Sequence, residues 1–263
     1  MDRTYWLKQT NDKPLFPDLL WSRPETKATA GKLLIIGGNA YGFVAPAEAF
    51  QAAETAGAGT VRMILPESMR QYVGPTFTSG DLAPTTPSGS FSQHAMALFV
   101  NEASWADGVL LAGDLGHNSE TAILLEKFAH DYQGQLTITQ DAADYFVTQP
   151  EPLLQRPDTL LVIAFAQLQK LAKAAHFTQA FTFDMDILRL VDALHEFTQK
   201  YSPYLLVKHH EQLFVAVNGQ VSSTKTSDDP EIWRVATAAQ AATWWLQNPS
   251  KPFEAISTAL IND

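Results

Sequence analysis

The sequence predicts an α/β fold: a mainly parallel, doubly wound sheet flanked by helices, with a late antiparallel hairpin. Three observations carry this reading. Short β-branched or aliphatic runs alternate with segments of helical periodicity along most of the chain. Glycine-bearing turns close several of the runs, first at Gly37-Gly38-Asn39. Asn218-Gly219 separates two strand-like runs, and both residues tolerate the positive φ that a two-residue hairpin needs.

In chain order, a strand over 33–36 runs into Gly37-Gly38-Asn39, and an alanine-rich helix over 46–56 is closed by Gly57. A strand over 61–65 precedes a stretch rich in Pro, Thr, Ser and Gly, 74–90, which reads as a loop. A helix over 91–101, a strand over 108–111 and the turn Gly113-Asp114-Leu115-Gly116 follow. The pattern then predicts a helix over 119–130, strands over 135–139 and 160–163, and helices over 165–175 and 186–200. A strand over 204–208 leads to the hairpin strands 212–217 and 220–224, a helix over 231–247 and a short C-terminal helix. No repeat or linker divides the chain. The expectation is one domain over 1–263, with residues 1–30 as an N-terminal extension packing on it.

With 263 residues, 46% of them hydrophobic, the chain carries enough apolar material for a full core. Eighteen basic against 28 acidic residues give a net charge of −10, which disfavours nucleic acid and anionic membranes as partners. The absence of cysteine excludes disulfides and thiolate chemistry. No N-terminal apolar run suggests a signal peptide, and no run approaches the ~18 apolar residues of a membrane span, so a cytoplasmic protein is expected.

In open parallel sheets, ligands gather beyond the carboxyl ends of the strands. That rule selects Gly37-Gly38-Asn39, Gly113 to Asn118, Gln140-Asp141 and Lys208-His209. The candidate ligand-lining residues are therefore Gly38, Asn39, Gly113, Asp114, Asn118, Asp141 and Lys208. Weaker signals fall away on inspection. Gly31-Lys32 has neither the upstream glycine nor the following Ser or Thr of a phosphate loop. Gly57-Ala58-Gly59 follows a helix and reads as its cap. His209 and His210, as strand neighbours, would point to opposite faces, so no metal site is expected. No G-x-S-x-G elbow occurs. Asp228-Asp229-Pro230-Glu231 is a good helix start, and its carboxylates would repel phosphate there. Trp244-Trp245 should bury one ring and expose the other, hinting at a homo-oligomer.

The order of these motifs resembles the ADP- or ATP-dependent NAD(P)H-hydrate dehydratases, a ribokinase-like family. Lys32 to Val61, with Gly37-Gly38 and Ala56-Gly57-Ala58-Gly59, is similar to that family's opening, and Lys27 stands near its upstream lysine. Asp107 to Gly116 resembles the strand and Gly-Pro-Gly-Leu-Gly turn, with Ala112 and Asp114 differing. Thr139-Gln140-Asp141-Ala142 resembles the Leu-Asp-Ala-Asp segment, Val207-Lys208 the Leu-Lys-Gly strand end, and Asn218-Gly219 the family's hairpin. The similarity runs from about Lys27 to about Leu246. It implies a ribokinase-like fold, ADP or ATP as the nucleotide, and a nicotinamide nucleotide as substrate.

Two family elements are missing. The Thr-Pro-His-Pro-Gly-Glu segment falls on Val162 to Gln167, which reads Val-Ile-Ala-Phe-Ala-Gln. The glycine-rich anion hole should lie between Ser222 and Trp233, where the chain is shorter and has no glycine. Backbone donors of that kind are worth about 3–4 kcal/mol each to a transferring group. The resulting expectation is a degenerate homologue that binds at most a nucleotide-like small molecule, with Asp141 and Asp229 the only candidate catalytic groups. The alternative is an active dehydratase with a rearranged loop.

Overall fold

The computed structural model describes residues 3–74, 79–147, 149–225 and 233–261. Its strands are β1 (Trp6–Gln9), β2 (Lys32–Gly37), β3 (Thr60–Pro66), β4 (Gly80–Ala83), β5 (Gly108–Gly113), β6 (Gln135–Thr139), β7 (Thr159–Ile163), β8 (Tyr204–His209), β9 (Gln212–Val217) and β10 (Gln220–Lys225). They form one sheet in the order β1-β10-β9-β8-β7-β6-β5-β2-β3-β4. Every neighbouring pair is parallel except the two that involve β9, which is antiparallel to both β8 and β10. The helices are α1 (Pro17–Trp21), α2 (Val44–Thr55), α3 (Arg70–Val73), α4 (Met96–Trp105), α5 (Ser119–Asp131), α6 (Glu151–Gln155), α7 (Phe165–Ala174), α8 (Ile187–Lys200), α9 (Trp233–Gln247) and α10 (Pro252–Thr258).

The apolar strand runs follow from burial on both faces. Leu34 and Ile36 of β2 belong to one core, which includes Phe91, Phe99, Phe128 and Phe197. Leu33 and Ile35, one residue out of phase, belong to the other, with Ala49, Ala53, Ala239, Ala242 and Trp245. On that second side the alanines of α2 and α9 leave little side-chain bulk between the two helices. Trp244 and Trp245 are both buried, 4% and 1% exposed, so the expectation of one outward ring does not hold. The Trp245 ring meets Tyr204 edge-on at 5.3 Å, and the Arg23 guanidinium lies 4.5 Å from the Trp244 ring centre. The two rings fill space on one side of the sheet and offer no surface patch.

Local chemistry sets the element ends. Asn118 caps α5, its Oδ1 accepting from the Glu120 and Thr121 amides at 2.8 and 3.3 Å. Asp186 caps α8 through the Arg189 amide at 2.9 Å. Gly57, at φ +82°, closes α2 as expected. Two strands were not anticipated. β1 lies in the N-terminal extension and pairs with β10, and β4 lies inside the stretch read as a loop. The predicted helix over 91–101 begins later, at Met96, after a 3-10 turn over Gln93–Ala95. Among the described residues no helix is long and apolar enough to cross a membrane.

Candidate functional site

The carboxyl ends of β2, β5, β6, β7 and β8 bring most of the expected residues to one edge of the sheet. At the floor, Gly37 abuts Gly113: a Cβ on Gly37 would stand 2.6 Å from the Gly113 carbonyl oxygen, which accepts from the Gly38 amide at 3.0 Å. Gly38 and Gly113 both have positive φ, +94° and +109°. Glycine is required at Gly113 for a second reason, since a Cβ would come within 2.5 Å of Gln140 Cβ.

The polar residues divide into those that build the wall and those that face it. Asn39 is fully engaged: its Oδ1 accepts from the Tyr41 amide at 2.7 Å and its Nδ2 donates to the Asp114 carbonyl at 2.5 Å. Asp114 Oδ2 accepts from the Ala45 amide at 2.7 Å, in the first turn of α2. Asn118 is spent on its cap and donates to Ser88 Oγ at 2.9 Å. Lys208, at the end of β8, is half-buried and partnered. Three of the seven expected lining residues thus hold loops in place.

Asp141 is different. One carboxylate oxygen accepts from the Leu115 and Gly116 amides at 2.9 and 3.1 Å, while the other is buried without a hydrogen-bond partner. It stands on the 3-10 segment Gln140–Phe146, which opens with Gln140 at φ +54°. Burial pushes the Asp141 carboxyl above its ordinary range, opposed by the Gly116 and Leu115 amides; Asp114 pushes it further up and His117 pulls it down. Glu48 on α2 is also raised, by burial and then by Asp114. One turn beyond Asp141, Tyr145 donates from its hydroxyl to the Gly116 carbonyl, so this segment grips the Gly113–Asn118 turn at two points.

Sequence reasoning missed a second group. Gln167, 7% exposed, accepts from the Ala164 amide at 3.0 Å and from Arg234 Nη1 at 3.2 Å. Its amide nitrogen donates to the Gln140 carbonyl at 2.8 Å and to Asp144 Oδ2 at 3.1 Å. Lys170 lies 3.9 Å from Asp144. Arg234, in the first turn of α9, has its guanidinium pKa lowered by burial, partly offset by Asp144 and Asp141. The i, i+3 spacing of Asp141 and Asp144 was the available signal, masked because 3-10 turns carry no apolar periodicity. Asp229, and the Asp228-Asp229-Pro230-Glu231 helix start with it, lies outside the described residues.

The histidine pair does not behave as strand neighbours. His209 ends β8, but His210 stands in the turn at φ +51°, and the two rings are only 4.1 Å apart. The opposite-face argument against a shared ion therefore fails. Among the described residues no group of three metal-ligating side chains occurs. His209 Nε2 instead lies 3.2 Å from the Met185 carbonyl, its ring stacked on Phe165 at 4.5 Å.

No protein-family model and no curated protein matches this sequence. Solved structures do. A ribokinase-like superfamily protein from Enterococcus faecalis V583 aligns over 99% of this chain and 87% of its own, at a TM-score of 0.73 and 15% identity. A protein from Streptococcus mutans aligns over 91% and 83%, at 0.67 and 15%. The ADP/ATP-dependent NAD(P)H-hydrate dehydratase from Bacillus subtilis, co-crystallised with ATP and Mg2+, aligns over 94% and 86%, at 0.62 and 12%. The fold is ribokinase-like. The architecture that the motif order implied is the one this chain adopts, and its structural neighbours include the dehydratase.

Proposed function

We propose that this chain is a degenerate relative of the NAD(P)H-hydrate dehydratases that binds a nucleotide-like small molecule at the carboxyl edge of the sheet and performs no phosphoryl or dehydratase chemistry. The observation that carries the reading is the pair Asp141 and Gln167. Asp141 keeps one buried acceptor oxygen without a protein partner, so a ligand hydroxyl or amide would satisfy it. Gln167, where the resemblance places the glutamate of the substrate segment, is consumed by four protein partners. The histidine and glycine of that segment are replaced by Ala164 and Ala166. A strand-end site that keeps an unpaired buried acceptor but lacks the reactive groups of the substrate segment fits binding better than turnover.

Calorimetric titration with AMP, ADP, ATP and NAD, beside a nucleotide-dependent dehydration assay, tests this. Saturable binding that Asp141→Asn weakens, without turnover, is expected. Turnover that Asp229→Ala abolishes would overturn the reading in favour of an active dehydratase.

A further inference from the structure

At the ends of β7 and β8, four rings form a continuous contact chain. Phe183 meets Phe165 at 5.2 Å, Phe165 stacks on His209 at 4.5 Å, and His209 meets His210 at 4.1 Å. The inner pair is buried, Phe165 at 5% and His209 at 4% exposed, while Phe183 is 61% exposed and His210 is exposed as well. A large apolar ring such as Phe183 left in water beside the candidate site calls for an explanation, because exposure forfeits the burial it could supply. The rings belong to this chain rather than to the family pattern. Phe165 stands where the substrate segment has a proline, and His209 where the Leu-Lys-Gly strand end has its glycine. They also adjoin the candidate site, since Gln167 lies two residues beyond Phe165 on α7 and touches the Gln140 carbonyl and Asp144.

We propose that Phe183 and His210, standing on the Phe165–His209 floor, form a stacking subsite for a flat heteroaromatic ring carried by the ligand of the Asp141 site. Resting on the binding reading above, this assigns its ligand a planar ring. An aromatic face accepts any such ring offset-stacked or edge-on, through dispersion and quadrupole complementarity, without hydrogen-bond readout. Burial depresses the His209 pKa, with His210 adding to that and the Met185 carbonyl opposing it, so a neutral His209 ring keeps the floor compatible with an apolar stack. The Met185 carbonyl, two residues beyond Phe183, is the polar atom on His209 Nε2, while Lys208, the neighbour of His209 on β8, is paired.

Isothermal titration with AMP, nicotinamide mononucleotide and ribose 5-phosphate separates the two levels of the claim. The third compound carries sugar and phosphate without a ring. Ring-bearing ligands should bind on the order of tenfold tighter than ribose 5-phosphate, the typical worth of one stacked base. Phe183→Ala and Phe183→Leu should erase that preference, Phe183→Trp should retain it, and none should alter ribose 5-phosphate binding. Asp141→Asn should weaken all three ligands alike. Because Phe183 is mostly exposed, its variants should keep the parent's circular dichroism and melting temperature. Equal affinity for ringed and ringless ligands, or loss of preference in Phe183→Trp, would overturn the stacking subsite while leaving the binding reading intact. Failure of all three to bind would sink both.

Discussion

At the residue scale, Asp141 carries the clearest pH signature. Its raised pKa means that the folded state holds the proton more tightly than the unfolded chain does. The stability it contributes is fully present below the ordinary carboxylate pKa and is lost as pH rises through the raised folded value. Asp192 has the opposite sign. Arg3 holds its carboxyl below the usual range, so its contribution is present above the unfolded pKa and disappears as pH falls through the depressed one. Urea denaturation of the parent and Asp141→Asn from pH 3.5 to 7 should therefore show the parent losing ground to the variant as pH rises; the parent gaining ground would refute the burial argument. Gly113→Ala makes a sharper demand. With φ at +109° and its Cβ meeting Gln140, that substitution should cost about 2–4 kcal/mol in the same measurement, and a change under about 0.5 kcal/mol would show that the turn relaxes freely.

At the element scale, Arg156 ties three segments together. Its guanidinium and Nε donate to the carbonyls of Ala129, Tyr132, Gly134, Pro157 and Asp158, at 2.5 to 3.2 Å, and to Thr159 Oγ1 at 2.7 Å. The last carbonyls of α5 and the chain leading into β6 and β7 are thereby satisfied by one side chain, at a cost of desolvation that lowers its pKa. Arg156→Lys should lose on the order of 3 kcal/mol, because an ammonium cannot reproduce a five-donor planar fork. A lysine variant as stable as the parent in chemical denaturation would mean the carbonyls find water instead. The same scale shows what the sequence could and could not reveal. β2, β5, β7 and β8 are legible because burial on both faces leaves apolar runs, β3 and β6 because aliphatic and β-branched residues persist around Arg62, Thr137 and Thr139, and the hairpin because Asn218-Gly219 is local chemistry. β1 was not, since Trp6 to Gln9 finds its register against Val221 to Thr224, more than two hundred positions away. β4 hides among Pro, Thr and Ser, its Gly80 required by the Met63 backbone rather than by any turn. At the candidate site, the glycine turns and Asp141 could be read directly, whereas Gln167 and Arg234 meet only through tertiary packing. The histidine pair misled for a related reason: the strand ends between the two residues, and periodicity does not mark where.

At the scale of the whole molecule, one sheet serves two cores. Adjacent residues of β2, β5, β7, β8 and β9 supply opposite sides, so each of those strands belongs to both clusters at once. Neither side can be lost without exposing the backs of the same strands to water, which couples the two layers energetically. We propose from this that the described residues unfold as one unit despite a length at which many chains divide into domains. The N-terminal segment joins the same unit: β1 pairs along β10, Arg3 makes a two-pronged contact with Asp192 of α8 at 2.6 and 2.8 Å, and Gln9, 3% exposed, donates to Thr224 Oγ1 and the Ser257 carbonyl at 2.8 and 2.6 Å. Far-ultraviolet dichroism, tryptophan fluorescence and near-ultraviolet dichroism should therefore trace coincident urea transitions. Removing residues 1–10 should shift the single midpoint down and raise hydrogen exchange along β10, rather than split the transition. Two resolved midpoints in the full chain would show that the sheet breaks between its halves, and exchange in β10 unaffected by the truncation would show that β1 merely decorates an edge already complete without it.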